Sequence, residues 1–220
     1  MSDQLIKRLL TSLFLFTIMY LMFTYTFVLI ISLILISIIT WIEFYGLIIK
    51  IFKKNFYKLL IKILSLVYII LFSFLIFNGV NHDNNHLDIL YLLSICICSD
   101  IGGLIFGKIF KGKKLTKLSP NKTISGSIGS FILSIILAPL FYYLLPEIFF
   151  NLGDLVILAI FVSLSCQLGD LFISYLKRKA KVKDTGDLLP GHGGLLDRID
   201  GIIFAVPFGM ILWKFIIPII

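Results

Sequence analysis

The run LLTSLFLFTIMYLMFTYTFVLIISLILISIITWIEFYGLII, from Leu9 to Ile49, carries a single charged side chain, Glu43. A membrane-spanning helix needs about 20 apolar residues, with a range of ~17–25. The run is too long for one span and right for two. Tyr20, Thr24, Tyr25 and Thr26 near its middle mark a tight turn on the outer side. Spans one and two are therefore expected over 7–23 and 26–48. Working outward with the same ruler, further spans are expected over 59–78, 87–107, 124–145, 152–177 and 200–219. The expected fold is all-α, a polytopic membrane helical bundle of about seven transmembrane helices.

Composition excludes a soluble domain. Of 220 residues, 59% are hydrophobic and 15% charged, against roughly 45–50% and 25% in soluble domains, and the mean hydropathy is +1.05. Disordered chains are poor in aromatic and β-branched residues, and this one is rich in both. The first apolar run also extends past the core length of a cleavable signal peptide. Cys96, Cys98 and Cys166 sit in apolar segments and read as small buried hydrophobes.

The formal net charge of +8 falls in four blocks: Lys7 with Arg8, Lys50 to Lys62, Lys108 to Lys122, and Lys177 to Arg198. The alternate connections, Asn78 to His86 and Pro146 to Asp154, contain no Lys or Arg. That alternation follows the positive-inside rule. It places the N-terminus and the basic loops in the cytoplasm and argues against nucleic acid as a partner. The outer loop His82-Asp-Asn-Asn-His86 lies away from every other polar cluster and is not read as a metal site. Residues 1–80 are taken as N-terminal membrane helices, spans one to three. Residues 87–220 are a C-terminal region of four spans with cytoplasmic loops 107–123 and 177–199.

Charges inside membrane spans cost about 2.5–3.5 kcal/mol on insertion scales and mark function by default. Asp100 in span four and Asp170 in span six each lie roughly 10–12 Å in from the cytoplasmic helix end at 1.5 Å rise per residue. They could therefore meet at one depth, and Glu43 sits similarly near the inner end of span two. In span six Gln167, Asp170, Ser174 and Lys177 share one helical face, a polar stripe leading to the cytoplasm. The segment from Lys177 to Asp200 mixes Lys177, Arg178, Lys183 and Arg198 with Asp184, Asp187, Asp197 and Asp200 and with Gly193 and Gly194. Carboxylates hold Mg²⁺, cations hold phosphate, and glycines let backbone N–H groups approach. That mixture suits a metal-bound polyphosphate. A second basic site, with Ser119, Lys122 and Thr123 before span five, suits a phosphate at a helix start.

Taken together these residues resemble the phosphatidate cytidylyltransferase family, the CDP-diacylglycerol synthases. The family signature runs Ser-x-x-Lys-Arg, Lys-Asp, Pro-Gly-His-Gly-Gly, Asp-Arg-x-Asp. The matching residues are Ser174, Lys177, Arg178, Lys183, Asp184, Pro190 to Gly194, Asp197, Arg198 and Asp200. Gln167 to Asp170, Asp100, and Ser119 to Gly126 look like further family elements. Departures are Ser125 and Ile173, where the family commonly has acids, and Asn121 for a lysine. The likeness covers about the C-terminal 120 residues; spans one to three match only as membrane helices.

The resemblance implies transfer of a cytidylyl group from CTP to phosphatidate in a bacterial inner membrane, with the active site at the cytoplasmic face. It implies Mg²⁺ held by Asp170, Asp197 and Asp200, with room for a second cation. Lys177, Arg178, Lys183, Asp184, His192 and Arg198 would be catalytic. Ser119, Lys122, Thr123, Ser174, Gly193 and Gly194 would bind substrate phosphate. Partners would be CTP, phosphatidate and membrane lipids, with a homodimer left open. The alternatives are a CTP-dependent transferase acting on a polyprenol or an ether lipid and, from another class, a membrane ion or phosphate transporter. A transporter needs polar residues continuing to the outer face, and outward of Gln167 span six offers little beyond Ser163 and Ser165.

Overall fold

The computed structural model describes residues 3–81, 86–116, 119, 122–144, 151–188 and 193–216, without side chains for 3–12. Among these residues the repetitive secondary structure is helical, and isolated bridges include the antiparallel pair Lys114 and Thr123. The helices are α1 (Asp3–Thr24), α2 (Thr26–Ile51), α3 (Asn55–Asn81), α4 (Leu87–Phe110), α5 (Ile124–Leu144), α6 (Leu152–Lys179), α7 (Leu196–Ile199) and α8 (Ile202–Ile216). Five of them, α2 to α6, are long and apolar enough to cross a membrane. The chain is an integral membrane protein.

The turn expected between the first two spans falls at Tyr25, which is extended at φ −128° and ψ 110°. α3 begins at Asn55 instead of 59, so Lys58 lies on helix instead of loop. Within the helix Lys62 Nζ sits 5.3 Å and 5.0 Å from the ring centres of Trp41 and Tyr45, a cation–π clamp. In the region of the expected seventh span, 200–219, α8 runs 15 residues from Ile202 to Ile216, and the single turn α7 precedes it with Asp200 and Gly201 between. Residues 217–219 of that span lie outside the described residues.

The chain divides into two compact units, one of Met1–His86 with Leu176–Ile199 and the other of Leu87–Tyr175 with Asp200–Ile220. The unit boundaries fall inside α6 and between α7 and α8. In the first unit α2 packs on α1 and α3. Ser37 and Ser73 bond across α2 and α3 at 2.6 Å, and the Trp41 indole donates to the Lys62 carbonyl at 3.4 Å. Lys179, at the end of α6, stacks its ammonium 5.6 Å from the Phe52 ring centre.

In the second unit the dominant contact is α4 on α5. Lipid removes the hydrophobic drive between helices, so close packing and hydrogen bonds must hold them. Small residues supply both. Gly102, Gly103 and Gly107 face Gly126 and Gly129, and a Cβ on Gly126 would stand 2.7 Å from the Gly103 carbonyl oxygen. Ser130 donates to the Ser99 carbonyl at 2.6 Å, and the Ser99 hydroxyl meets Ser163 of α6 at 3.0 Å. Tyr91 donates its buried hydroxyl to the Leu155 carbonyl at 2.8 Å.

Candidate active site

The sequence-selected residues fall into two clusters, one in each unit. The cluster of the second unit is built around Asp170 on α6. Its carboxylate is ion-paired with Lys122 and accepts from the Ser174 hydroxyl at 3.3 Å. Asp100 of α4 lies within electrostatic range of both Asp170 and Lys122.

Lys122 is placed by backbone pairing of the described residues before α5. Leu115 donates to the Lys122 carbonyl at 2.8 Å and Ile124 to the Lys113 carbonyl at 3.0 Å, a short antiparallel pairing. Lys111 at φ 50° and Gly112 at φ 106° turn the chain into it. Thr123 caps α5, accepting the Gly126 N–H at 3.1 Å, the usual work of a hydroxyl at that position. Ser119 accepts the Lys122 N–H on its carbonyl at 3.1 Å. Gln167 accepts from Ser127 at 2.5 Å and donates to Ser163 at 3.4 Å, which ties α6 to α5. Asp200 accepts the Gly201 N–H at 2.9 Å, and its carbonyl lies where a Cβ on Gly169 would approach within 2.7 Å.

The cluster of the first unit is built around Asp197. Lys177 donates to its Oδ1 at 2.6 Å. The Thr185 and Gly194 N–H groups donate to its Oδ2 at 2.8 Å and 3.1 Å. A half-buried ion pair is favourable only when further hydrogen bonds satisfy its charges, and here they do. Burial pushes the Asp197 carboxyl up. The Lys177 hydrogen bond and charge and the donors of Thr185 outweigh it, holding the group below the ordinary aspartate range. Gly193, at φ 81°, occupies the left-handed region. A Cβ there would lie 3.2 Å from Asp197 Oδ2 and 3.3 Å from the Asp184 Cβ, so Asp184 and Asp197 flank one glycine. Arg178, Lys183, Asp184 and Arg198 are exposed. His192, with Pro190 and Gly191, lies outside the described residues, as do residues 82–85 of the outer loop.

One member of this cluster has no place among the sequence-selected site residues. Glu43, 9% exposed, accepts the Leu195 N–H at 3.0 Å and the Leu196 N–H at 2.8 Å. The Thr185 hydroxyl is 2.8 Å from Glu43 Oε2 and 3.0 Å from Asp197 Oδ2. Its one hydrogen serves one carboxylate at a time. The signal was present in the sequence: Glu43 is the lone charge in its apolar run.

Among the described residues no group of three or more His, Cys, Asp and Glu is arranged to hold a metal ion. The donor set still suits Mg²⁺, which is held by one or two carboxylates together with substrate phosphates and water. Asp100 and Asp170 offer such a pair in one unit, and Asp184 and Asp197 in the other.

Fold and site define a helical integral membrane protein whose membrane-buried and loop carboxylates are paired with lysines. Comparison with known proteins places it more closely. The model of the cytidylyltransferase family matches residues 2–216, and the chain belongs to that family. It is 43% identical over 141 residues to a phosphatidate cytidylyltransferase of Rickettsia bellii, covering 61% of each chain. It is 40% identical over 141 residues to one of Staphylococcus haemolyticus, covering 64% of this chain and 54% of the relative. With one of Bacillus subtilis it shares 39% over 126 residues, covering 54% and 45%. The chain thus spans about half to three fifths of the length of the curated relatives it matches.

Proposed function

We propose that this chain is a phosphatidate cytidylyltransferase, converting CTP and phosphatidate to CDP-diacylglycerol and pyrophosphate for phospholipid synthesis. The observation that carries the reading is the Lys177–Asp197 pair held by Thr185 and Gly194, inside the very segment that matches the family signature. The names of the matched relatives support the same substrates.

In this reaction a phosphate oxygen of the lipid attacks the α-phosphorus of CTP. The new P–O–P bond forms as the α–β bridge breaks, and the electron pair leaves with pyrophosphate. The nucleophile is already anionic near neutral pH, since a phosphomonoester has a second pKa of about 6. The residues therefore need to hold and align two polyanions more than to move a proton. Lys177, Arg178, Lys183 and Arg198 supply fixed positive charge for triphosphate and leaving group, and the family signature assigns His192 and Asp184 to the same reaction. Ser119, Lys122, Thr123 and Ser174 serve the lipid phosphate, and Gly193 and Gly194 keep the loop backbone close. Asp170, Asp197 and Asp200 are assigned to Mg²⁺, with Asp100 beside Asp170. When bound, the cation neutralises phosphate charge.

A lipid substrate accounts for Asp170 on a membrane-crossing helix, because the acyl tails stay in the bilayer while the headgroup meets CTP at its surface. We assign that surface to the cytoplasmic face of a bacterial inner membrane, from the charge alternation of the loops. The test is purified protein in lipid nanodiscs with labelled CTP, Mg²⁺ and phosphatidate, followed by lipid extraction. Labelled CDP-diacylglycerol is expected. Label passing to a polyprenyl phosphate or an ether lipid and not to phosphatidate would overturn the substrate. Sedimentation of the same sample decides between monomer and homodimer.

A further inference from the structure

The segment from Thr185 to Leu196 holds Asp197 through two backbone donors, Thr185 and Gly194. Both donors have an anchor beyond the buried side chains of Leu195 and Leu196. The anchor is on α2. Glu43 takes the first two N–H groups at the start of α7 and reaches the Thr185 hydroxyl at the other end of the segment. The glycines are fitted to it: a Cβ on Gly186 would stand 2.8 Å from Glu43 Oε1, and one on Gly194 2.5 Å from Oε2. Three hydrogen bonds and two close-fitting glycines of the segment thus converge on one buried carboxylate.

We propose that Glu43 is a positioning residue for the reaction. By fixing Thr185 and Leu196 it keeps the loop in the single arrangement that presents Asp197 and Lys177 to the nucleotide phosphates. The proposal rests on the cytidylyltransferase reading for its kinetic consequence but not for its structural one. Glu43 touches no substrate. Its removal lowers the fraction of protein whose loop is in the competent arrangement, and a ligand that selects that arrangement shows an apparent affinity weakened by the same fraction. Saturating nucleotide restores the arrangement.

Glu43→Gln keeps the volume and replaces one acceptor oxygen with a donor that faces the α7 N–H groups. It is expected to raise KM for CTP about tenfold or more while kcat stays within about threefold. A role confined to global folding would lower kcat with the active fraction and leave KM alone. Thr185→Val cuts one of the contacts and should raise KM by a smaller factor. The double variant should fall well short of the product of the two, because both act on one contact.

Limited trypsin digestion supplies a readout independent of activity. Cleavage after Lys181 and Lys183 should accelerate at least about fivefold in Glu43→Gln, with cleavage after Lys113 and Lys114 unchanged, because only the loop is released. Unchanged KM together with unchanged cleavage overturns the proposal. So does a kcat loss that tracks the loss of folded protein. If the wild-type protein transfers no cytidylyl group, the functional reading fails while the digestion still decides the role of Glu43.

Discussion

At the level of single residues, the two carboxylates proposed first for the metal are separated by their surroundings. Asp170 answers to Lys122 and Ser174; Asp197 answers to Lys177, Thr185 and Gly194. Asp170→Asn and Asp197→Asn keep size and one oxygen but remove the charge a divalent cation needs. Each should lower turnover by roughly two orders of magnitude or more, a loss typical when an electrostatic contact at a reacting centre is removed. The check is steady-state assay across a range of Mg²⁺, which should not rescue Asp170→Asn. Near wild-type turnover in that variant would remove the acid from the metal assignment. Asp197 also makes a pH prediction. Its folded pKa is depressed, so its contribution to stability is fully present above the unfolded value of about 3.9. That contribution is lost as pH falls through the folded value. Thermal unfolding in detergent should be flat from pH 7 to 5 on this account and decline below about pH 4. The decline should be smaller in Asp197→Asn.

At the level of helices, the α4–α5 crossing depends on missing side chains. Gly126→Ala forces its Cβ to 2.7 Å from the Gly103 carbonyl oxygen, a backbone atom that cannot swing away. Gly46→Ala on α2 meets nothing within 4 Å and gains helix propensity. The first should cost about 1–3 kcal/mol, as overpacking does, and the second should be neutral or stabilising. Melting of the two variants in one detergent tests the contrast. The helices themselves were legible because apolar runs have a length and basic blocks have a period. The glycine faces were less so: a glycine reports its absent side chain only once its neighbour is known. The single turn α7 was not legible either, because four residues just before an apolar run carry no periodicity of their own. The site shows the same division. Lys177, Asp184, Asp197 and the glycines stand close together in sequence and could be read as one motif. Glu43 is 142 residues from Thr185 and 153 from Leu196, and no local spacing carries such a pairing. Lys122 and Asp170 were each singled out, but their contact follows from the turn at Lys111 and Gly112, which only the backbone reveals.

For the whole chain, the charge alternation makes a topological prediction. With the native cysteines replaced, single cysteines at Lys54, Lys114 and Lys181 should react with a membrane-impermeant maleimide only from the cytoplasmic side, and one at Asn151 only from outside. Outer labelling at position 181 would overturn the assignment of the loop. The discontinuous make-up of the first unit, Met1–His86 with Leu176–Ile199, also has a consequence for biosynthesis. Glu43 leaves the ribosome long before the amides it receives. Those of Leu195 and Leu196 emerge about 150 residues later, a wait of roughly 8–30 s at 5–20 residues per second. Throughout that interval α2 sits in the membrane with an acid lacking its native donors, an exposed signal of an unfinished chain. A nascent protein stalled before Leu195 keeps that signal, and membrane proteases and chaperones that survey polar groups in the bilayer have a physical basis for telling it from the finished molecule.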